Sequence, residues 1–199
     1  VIVPCKGLDE GLRENLEAVM LQNYPLYEVV FVVDDANDRA MGAIREIARE
    51  GAVSTKSVVA PLAVESGQKV ENLREAVLHA DDRSEVFVFV DSDVRPAEDW
   101  LRSLVAAVED KSIGAATGYR WFVAEQSDLA TELRSAWNAS IASALGPDTG
   151  SNFCWGGSTA IRRAVFERLD IRDKWRGTLS DDFVVTRILK ETGLPIWFV

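Results

Sequence analysis

Three features of this 199-residue sequence predict an α/β domain of three layers, with helices on both faces of a mostly parallel sheet. Short apolar runs rich in β-branched residues alternate with segments of helical period up to about Lys111. Two of the runs, Val29–Val33 and Val86–Val90, are apolar throughout, the pattern of strands covered on both faces. Both stop abruptly in acid, at Asp34-Asp35 and at Asp91-Ser92-Asp93, so polarity collects at one edge of the sheet.

Taken in order, Val1–Val3 is a short strand ended by Pro4 and a loop containing Gly7. A helix follows with Leu12, Leu16, Val19 and Met20 on one face and Asp9 available as its cap, until Asn23-Tyr24-Pro25 breaks it. After the strand at 29–33 comes a helix through Met41, Ile44 and Ile47, then a strand at Ser57–Ala60. A Gly67 loop leads to a helix using Val70, Leu73 and Val77, and a turn at Asp81–Ser84 precedes the strand at 86–90. Pro96 is expected to start the next helix, whose inner face is Trp100, Leu101, Leu104, Val105 and Val108.

Beyond Lys111 the regularity loosens. Ile113–Gly118 reads as a strand, Leu129–Leu145 as a long amphipathic helix and Gly146–Gly157 as a loop. Thr159–Ile161 is a strand, Arg163–Leu169 a short helix, and Ser180–Glu191 a helix capped by Ser180. There is no internal repeat or linker, so one domain over 1–199 is expected, with a change of subregion near 111. The sequence opens in mid-strand without Met and closes in the apolar run Ile196–Val199, the expectation being a domain from a longer polypeptide.

Composition narrows the function. The balance of 22 Lys and Arg against 32 Asp and Glu gives a net charge of −10, which excludes a basic reader of nucleic-acid phosphates and suits carboxylates that hold a metal ion. No run approaches the roughly 18–20 apolar residues of a bilayer span. Cys5 and Cys154 have neither the number nor the spacing of a disulfide scaffold or zinc site. The single His79 sits near a helix end, which demotes triad catalysis, and neither G-x-x-x-x-G-K-[ST] nor G-x-G-x-x-G occurs.

Ligands of open α/β sheets bind beyond the carboxyl ends of the strands. Strand alternation aims Asp91 and Asp93 the same way, and two such carboxylates suit Mg²⁺ or Mn²⁺ completed by substrate phosphate. The plain alternative is a solvated turn. Asp34 and Asp35 could accept hydrogen bonds from a ribose or base, or, with Asp38, simply cap the helix that follows. Asp181 and Asp182 are favourable first-turn acids, and also a plausible general base presented at a loop-to-helix junction. Trp155 and Trp175, in loops near these later motifs, are the tryptophans expected to contact an acceptor.

In combination these clusters resemble family 2-type glycosyltransferases. The resemblance rests on Val1-Ile2-Val3-Pro4, the Gln22-Asn23-Tyr24-Pro25 turn, Asp34-Asp35, Gly67-Gln68-Lys69 with Asn72-Leu73, and the D-S-D at 91–93. Gly156-Gly157-Ser158 with Arg162, and Ser180-Asp181-Asp182-Phe183, look most like the ceramide glucosyltransferase branch. The resemblance implies a nucleotide-diphospho-sugar transferase (GT-A) fold, with 1–110 as the nucleotide-binding half and 111–199 as the acceptor side. It implies a nucleotide-sugar donor, such as UDP-glucose, held by Pro4, Asp35, Lys69, Asp91 and Asp93. Asp93 with Asp91 would hold Mg²⁺ or Mn²⁺. Asp182 would be the base, Asp181 the acid before it, and Trp155, Gly157 and Ser158 would face the acceptor. A lipid acceptor is implied, with membrane association through segments outside this sequence and the catalytic domain on the cytosolic face. The family's Q-x-x-R-W motif does not occur within these residues.

Two other readings fit part of the pattern. Asp91-Ser92-Asp93-Val94 matches the D-x-D-x-[TV] of haloacid-dehalogenase-like phosphatases, where Asp91 would be the nucleophile, although that nucleophile normally follows the first core strand. A non-catalytic nucleotide-sugar binding domain is the other, and retention of all the motif acids argues against it.

Overall fold

The computed structural model describes residues 1–122 and 128–199. Among them a seven-stranded sheet runs in the order β3-β2-β1-β4-β6-β5-β7. β1 (Ile2–Pro4), β2 (Glu28–Val33), β3 (Ser54–Val59) and β4 (Val86–Phe89) form a parallel block, with Ile2 beside Val30 and Phe89. β6 (Thr159–Arg162) lies antiparallel between β4 and β5 (Ala115–Thr117), and β7 (Ile196–Phe198) returns parallel to β5. The expected mostly parallel sheet is present, with β6 its one reversed strand among the described residues.

Alternation along the strands divides the core between two faces. Val30, Val32, Phe87, Phe89, Ile161 and Ile196 point to the face covered by α3 (Gln68–Ala76), α6 (Arg163–Arg168), α7 (Ile171–Lys174) and α8 (Asp181–Glu191). Val29, Phe31, Val33 and Val90 point to the face covered by α1 (Leu12–Met20) and α2 (Ala40–Glu50). Farther along that face Val88, Ala116 and Ala160 pack under α4 (Trp100–Glu109). The layers are therefore α/β/α. Each large side chain fully removed from water on β2 contributes about 1.5–3 kcal/mol.

β2 begins with a buried carboxylate. Glu28 accepts hydrogen bonds from Asp81 N–H and Ser84 Oγ and pairs with Lys56 at 3.1 Å, which fixes the turn before β4. Burial pushes this carboxyl up, but those donors outweigh it and hold its pKa below the ordinary value.

Several local expectations are corrected. Asp9 does not cap α1; Gly11 occupies that position at φ 74°, a left-handed conformation that suits glycine. α4 starts at Trp100 rather than Pro96, because the Gln22 side chain reaches over from the end of α1. Its Oε1 accepts from Leu101 N at 2.9 Å while its Nε2 donates to Ala97 O at 3.0 Å, holding 97–101 as a turn into the helix. α5 (Leu129–Ala142) forms, but its apolar positions Leu129, Leu133 and Trp137 are exposed and only Asn138 is buried. The apolar stripe faces away from the core. Short α7 was not foreseen, and β3 starts three residues earlier than expected.

Candidate active site

The carboxyl ends of β1, β2, β4 and β5 lie along one edge of the sheet, and reversed β6 brings its amino end to the same edge. Because Phe89 on β4 lies opposite Thr159 on β6, the Asp91 turn and the Trp155-Gly156-Gly157 loop arrive side by side. The first turns of α3 and α8 complete the site with Lys69 and with Asp181 and Asp182.

Lys69 is the hub. Its half-buried ammonium lies 2.7 Å from Asp91 Oδ1 and 3.2 Å from Asp181 Oδ1. Burial pulls this ammonium down, but the two carboxylates prevail and leave its pKa above the ordinary lysine value. Asp181 is buried, and burial, together with neighbouring Asp182, raises its carboxyl against the opposing pull of Lys69. Trp175 Nε1 donates to Asp181 O at 3.0 Å from a ring that is 1% exposed. Trp175 therefore meets no acceptor. Phe89 and Phe166 surround it in the core, and it positions the start of α8.

Asp182 is held from three sides. Its Oδ2 accepts from Gly156 N at 3.1 Å, while its Oδ1 accepts from Phe183 N at 2.8 Å and from the Ser180 hydroxyl. Ser180 is also the expected cap of α8, its Oγ accepting from Phe183 N. The glycine pair is required by space. A Cβ on Gly156 would lie 3.1 Å from Asp182 Oδ2 and 3.2 Å from Lys69 Nζ, and one on Gly157 would lie 3.0 Å from Asp91 Oδ2.

Asp91 and Asp93 share a side for a reason different from strand alternation. β4 ends at Phe89, and residues 91–94 form a turn closed by Val94 N–H on Asp91 O at 3.2 Å. Buried Asn15 on α1 steadies that turn, its Nδ2 donating to Ser92 O at 3.2 Å and its Oδ1 accepting from Arg95 at 3.1 Å. Both carboxylates then approach one cationic nitrogen. Arg120 Nη1 lies 3.5 Å from Asp91 Oδ2 and 3.3 Å from Asp93 Oδ1. Two carboxylates able to share one cation fit Mg²⁺ or Mn²⁺ arriving with phosphate oxygens, whereas no closed cluster of three or more ligating side chains exists among the described residues.

The other expected residues are more peripheral. Pro4 ends β1 beside Val32, and exposed Asp35 accepts from Asn37 N at 2.8 Å. Asp38 takes the helix-start role through Ala40 N and also binds Gly7 N. Trp155 is half-buried, packing on Tyr119 at 5.5 Å and under the Arg120 guanidinium at 5.6 Å. Ser158 is buried with its Oγ accepting from Trp100 Nε1 at 2.9 Å, so its hydroxyl is committed to the interior. Burial pushes both thiols, Cys5 and Cys154, up to about 12, which disfavours the thiolate.

Sequence reasoning missed Arg120, Asn15 and the Gly156 amide. Asn15 carried a signal, as an amide on the apolar face of a helix. Arg120 carried none, because only the pairing of β5 with β6 brings it beside Asp91.

The fold is of the nucleotide-diphospho-sugar transferase (GT-A) type. Over its full length the chain superimposes on Staphylococcus aureus TarS with a TM-score of 0.66 at 17% identity, covering 34% of that chain. Glucosyl-3-phosphoglycerate synthase from Mycobacterium tuberculosis, solved with phosphoglyceric acid, gives a TM-score of 0.52 at 15% identity, with 100% of this chain and 67% of that chain covered. These likenesses concern the fold. The chain belongs to Glycosyl transferase family 21, whose model matches residues 1–197. It is also 33% identical over 138 residues to the hyaluronan synthase of Streptococcus pyogenes, an alignment covering 66% of this chain and 32% of that protein. The chain thus spans about a third of the length of that relative. Family membership leaves the phosphatase reading of Asp91 without support.

Proposed function

We propose that this chain is the catalytic domain of an inverting glycosyltransferase that moves a hexose from a nucleotide-diphospho-sugar, UDP-glucose or a close analogue, to an acceptor hydroxyl. The observation that carries the reading is the Lys69 bridge. A single ammonium ties the acid at the end of β4 to the acid beside Asp182, so a donor-binding carboxylate and a candidate base stand within one connected network. Staphylococcus aureus TarS, similar in fold, has been crystallised with UDP and with UDP-GlcNAc.

In this reading Asp35 and Pro4 meet the nucleoside side of the donor, and Lys69 with Asp91 and Asp93 meets its diphosphate side. Asp182 accepts the proton of the acceptor hydroxyl as its oxygen bonds to the anomeric carbon and the diphosphate departs from the opposite face. The fixed hydrogen bonds from Gly156, Phe183 and Ser180 hold the base in one orientation, which lowers the reorganisation needed at the moment of transfer. Asp93 and Asp91 would hold Mg²⁺ or Mn²⁺, whose charge offsets that developing on the leaving diphosphate. The acceptor is read as a lipid, as in the ceramide glucosyltransferase branch, with Trp155 and Gly157 on the acceptor side. The full protein is accordingly placed at a membrane, this domain on the cytosolic face. No helix of the described residues is long and apolar enough to cross one.

The test is a nucleotide-sugar screen by thermal shift, with and without Mn²⁺ or Mg²⁺. A metal-dependent rise in melting temperature with one UDP-sugar is expected, followed by transfer to a lipid hydroxyl in the full-length protein. If no nucleotide sugar shifts the melt in either metal, the reading fails.

A further inference from the structure

Arg120 occupies a position that the proposed transfer does not use. Its Nη1 lies against both carboxylates of the Asp91–Asp93 turn at 3.3–3.5 Å, long for an arginine–carboxylate pair, which closes to about 2.7–2.9 Å when the fork is engaged. Its Nε is buried and meets no hydrogen-bond partner among the described residues. The guanidinium instead lies over two rings, 5.3 Å from the centroid of Phe122 and 5.6 Å from that of Trp155. The contact with the acids is loose, the donor set is underused, and the flat aromatic seat favours a cation without fixing its direction.

From this geometry we infer that Arg120 is the resting counter-ion of Asp91 and Asp93, that a divalent cation must displace it from them, and that the displaced guanidinium pairs with the donor diphosphate. Two carboxylates at one turn repel unless a positive charge lies between them, and before any ligand arrives Arg120 is the cation that touches both, Lys69 meeting only Asp91 of the two. A divalent ion brings a larger charge to the same oxygens, so ion and guanidinium cannot both hold them. The aromatic seat lets the guanidinium swing while its stack is kept, and its planar fork suits phosphate oxygens. Lys69 is not part of the exchange: it meets Asp91 through Oδ1 where Arg120 meets Oδ2, and its ammonium is also held by Asp181. The competition makes metal binding weak without nucleotide and strong with it, so the ion and the donor enter together. This deepens the transferase reading at the same site and rests on it for the identity of the diphosphate.

The test titrates Mn²⁺ alone into the chain, followed by electron paramagnetic resonance, for wild type, Arg120→Gln and Arg120→Lys. With no nucleotide present, Arg120→Gln should bind Mn²⁺ about tenfold tighter than wild type, and Arg120→Lys, which keeps the charge, should stay close to wild type. Adding UDP should tighten Mn²⁺ binding strongly in wild type and much less in Arg120→Gln, since the pairing with diphosphate is then missing. Equal or weaker Mn²⁺ binding by folded Arg120→Gln overturns the competition, and an undiminished UDP effect in that variant overturns the transfer of the guanidinium to diphosphate. Should Arg120→Gln not fold, a Lys variant with Mn²⁺ affinity raised as far as tenfold would equally overturn the role of charge. Wild type that binds Mn²⁺ but no UDP would refute the transferase reading instead, because the metal-only comparison needs no nucleotide.

Discussion

The parallel block β1–β4 and the mixed block β5–β7 contribute to the same edge by different means. In the first, each strand ends and its next residues are already at the edge, so Asp34, Asp35, Asp91 and Asp93 arrive by continuation of the chain. In the second, the important groups come from loops and helix starts: Arg120 beyond β5, Gly156 before reversed β6 and Asp182 at the head of α8. The difference teaches that strand ends bring acids to the edge but do not fix them there. The turn after β4 is steadied by Asn15 from α1, and Asp182, the base in the proposed reading, is held both by its own helix start and by the distant Gly156 amide.

Substitutions in each block put that contrast at risk. Asp182→Asn should lower turnover by about 10²–10⁴-fold while leaving UDP-sugar affinity nearly unchanged, measured by transfer rate and by calorimetry. Near-normal turnover would falsify the base assignment. In the sheet layers, Leu104→Ala on buried α4 should cost about 2–5 kcal/mol in denaturant unfolding. Leu133→Ala on exposed α5 should change the same measurement by less than about 0.5 kcal/mol. A comparable loss at both sites would mean that α5 belongs to the core after all.

Smaller effects follow nearer the network. Gly156→Val places atoms where Asp182 Oδ2 and Lys69 Nζ now stand, so turnover should fall about 10²-fold with nucleotide binding less affected. Asp93→Ala should do the reverse, weakening metal-dependent UDP binding by about tenfold, as calorimetry with and without Mn²⁺ would show. The mildest concerns Asp181, whose carboxyl is raised by burial against the pull of Lys69. Its pKa is higher folded than unfolded, so folding takes up a proton between the two values and its ionisation costs stability as pH rises through that window. Asp181→Asn should flatten the stability–pH curve there. An unchanged slope would show that Asp181 titrates as it does in the unfolded chain.

Much of this was legible because burial writes itself into composition. Val29–Val33 has to be covered on both faces, and the acids that follow have to leave the core. Ser180 with Asp181 and Asp182 announced a helix start in the same way. Where the reading went astray, the deciding contact came from far along the chain. Pro96 looked like a helix start because nothing local reveals that Gln22 reaches residues 97 and 101. Trp175 looked like a loop tryptophan available to a ligand, yet Phe89 and Phe166 from distant elements close around it. The period of 129–142 did give a helix, but period cannot say whether an apolar stripe finds a partner.

By itself, then, the sequence determined the layers, the strands that end in acid and the residue types available for chemistry, because periodicity and burial are local properties of the chain. Only the tertiary structure decided which acids share a cation, which backbone amide holds Asp182 and which tryptophan is interior. Those depend on reversed β6 lying between β4 and β5, pairings between segments some 70 and some 45 residues apart that no local pattern specifies.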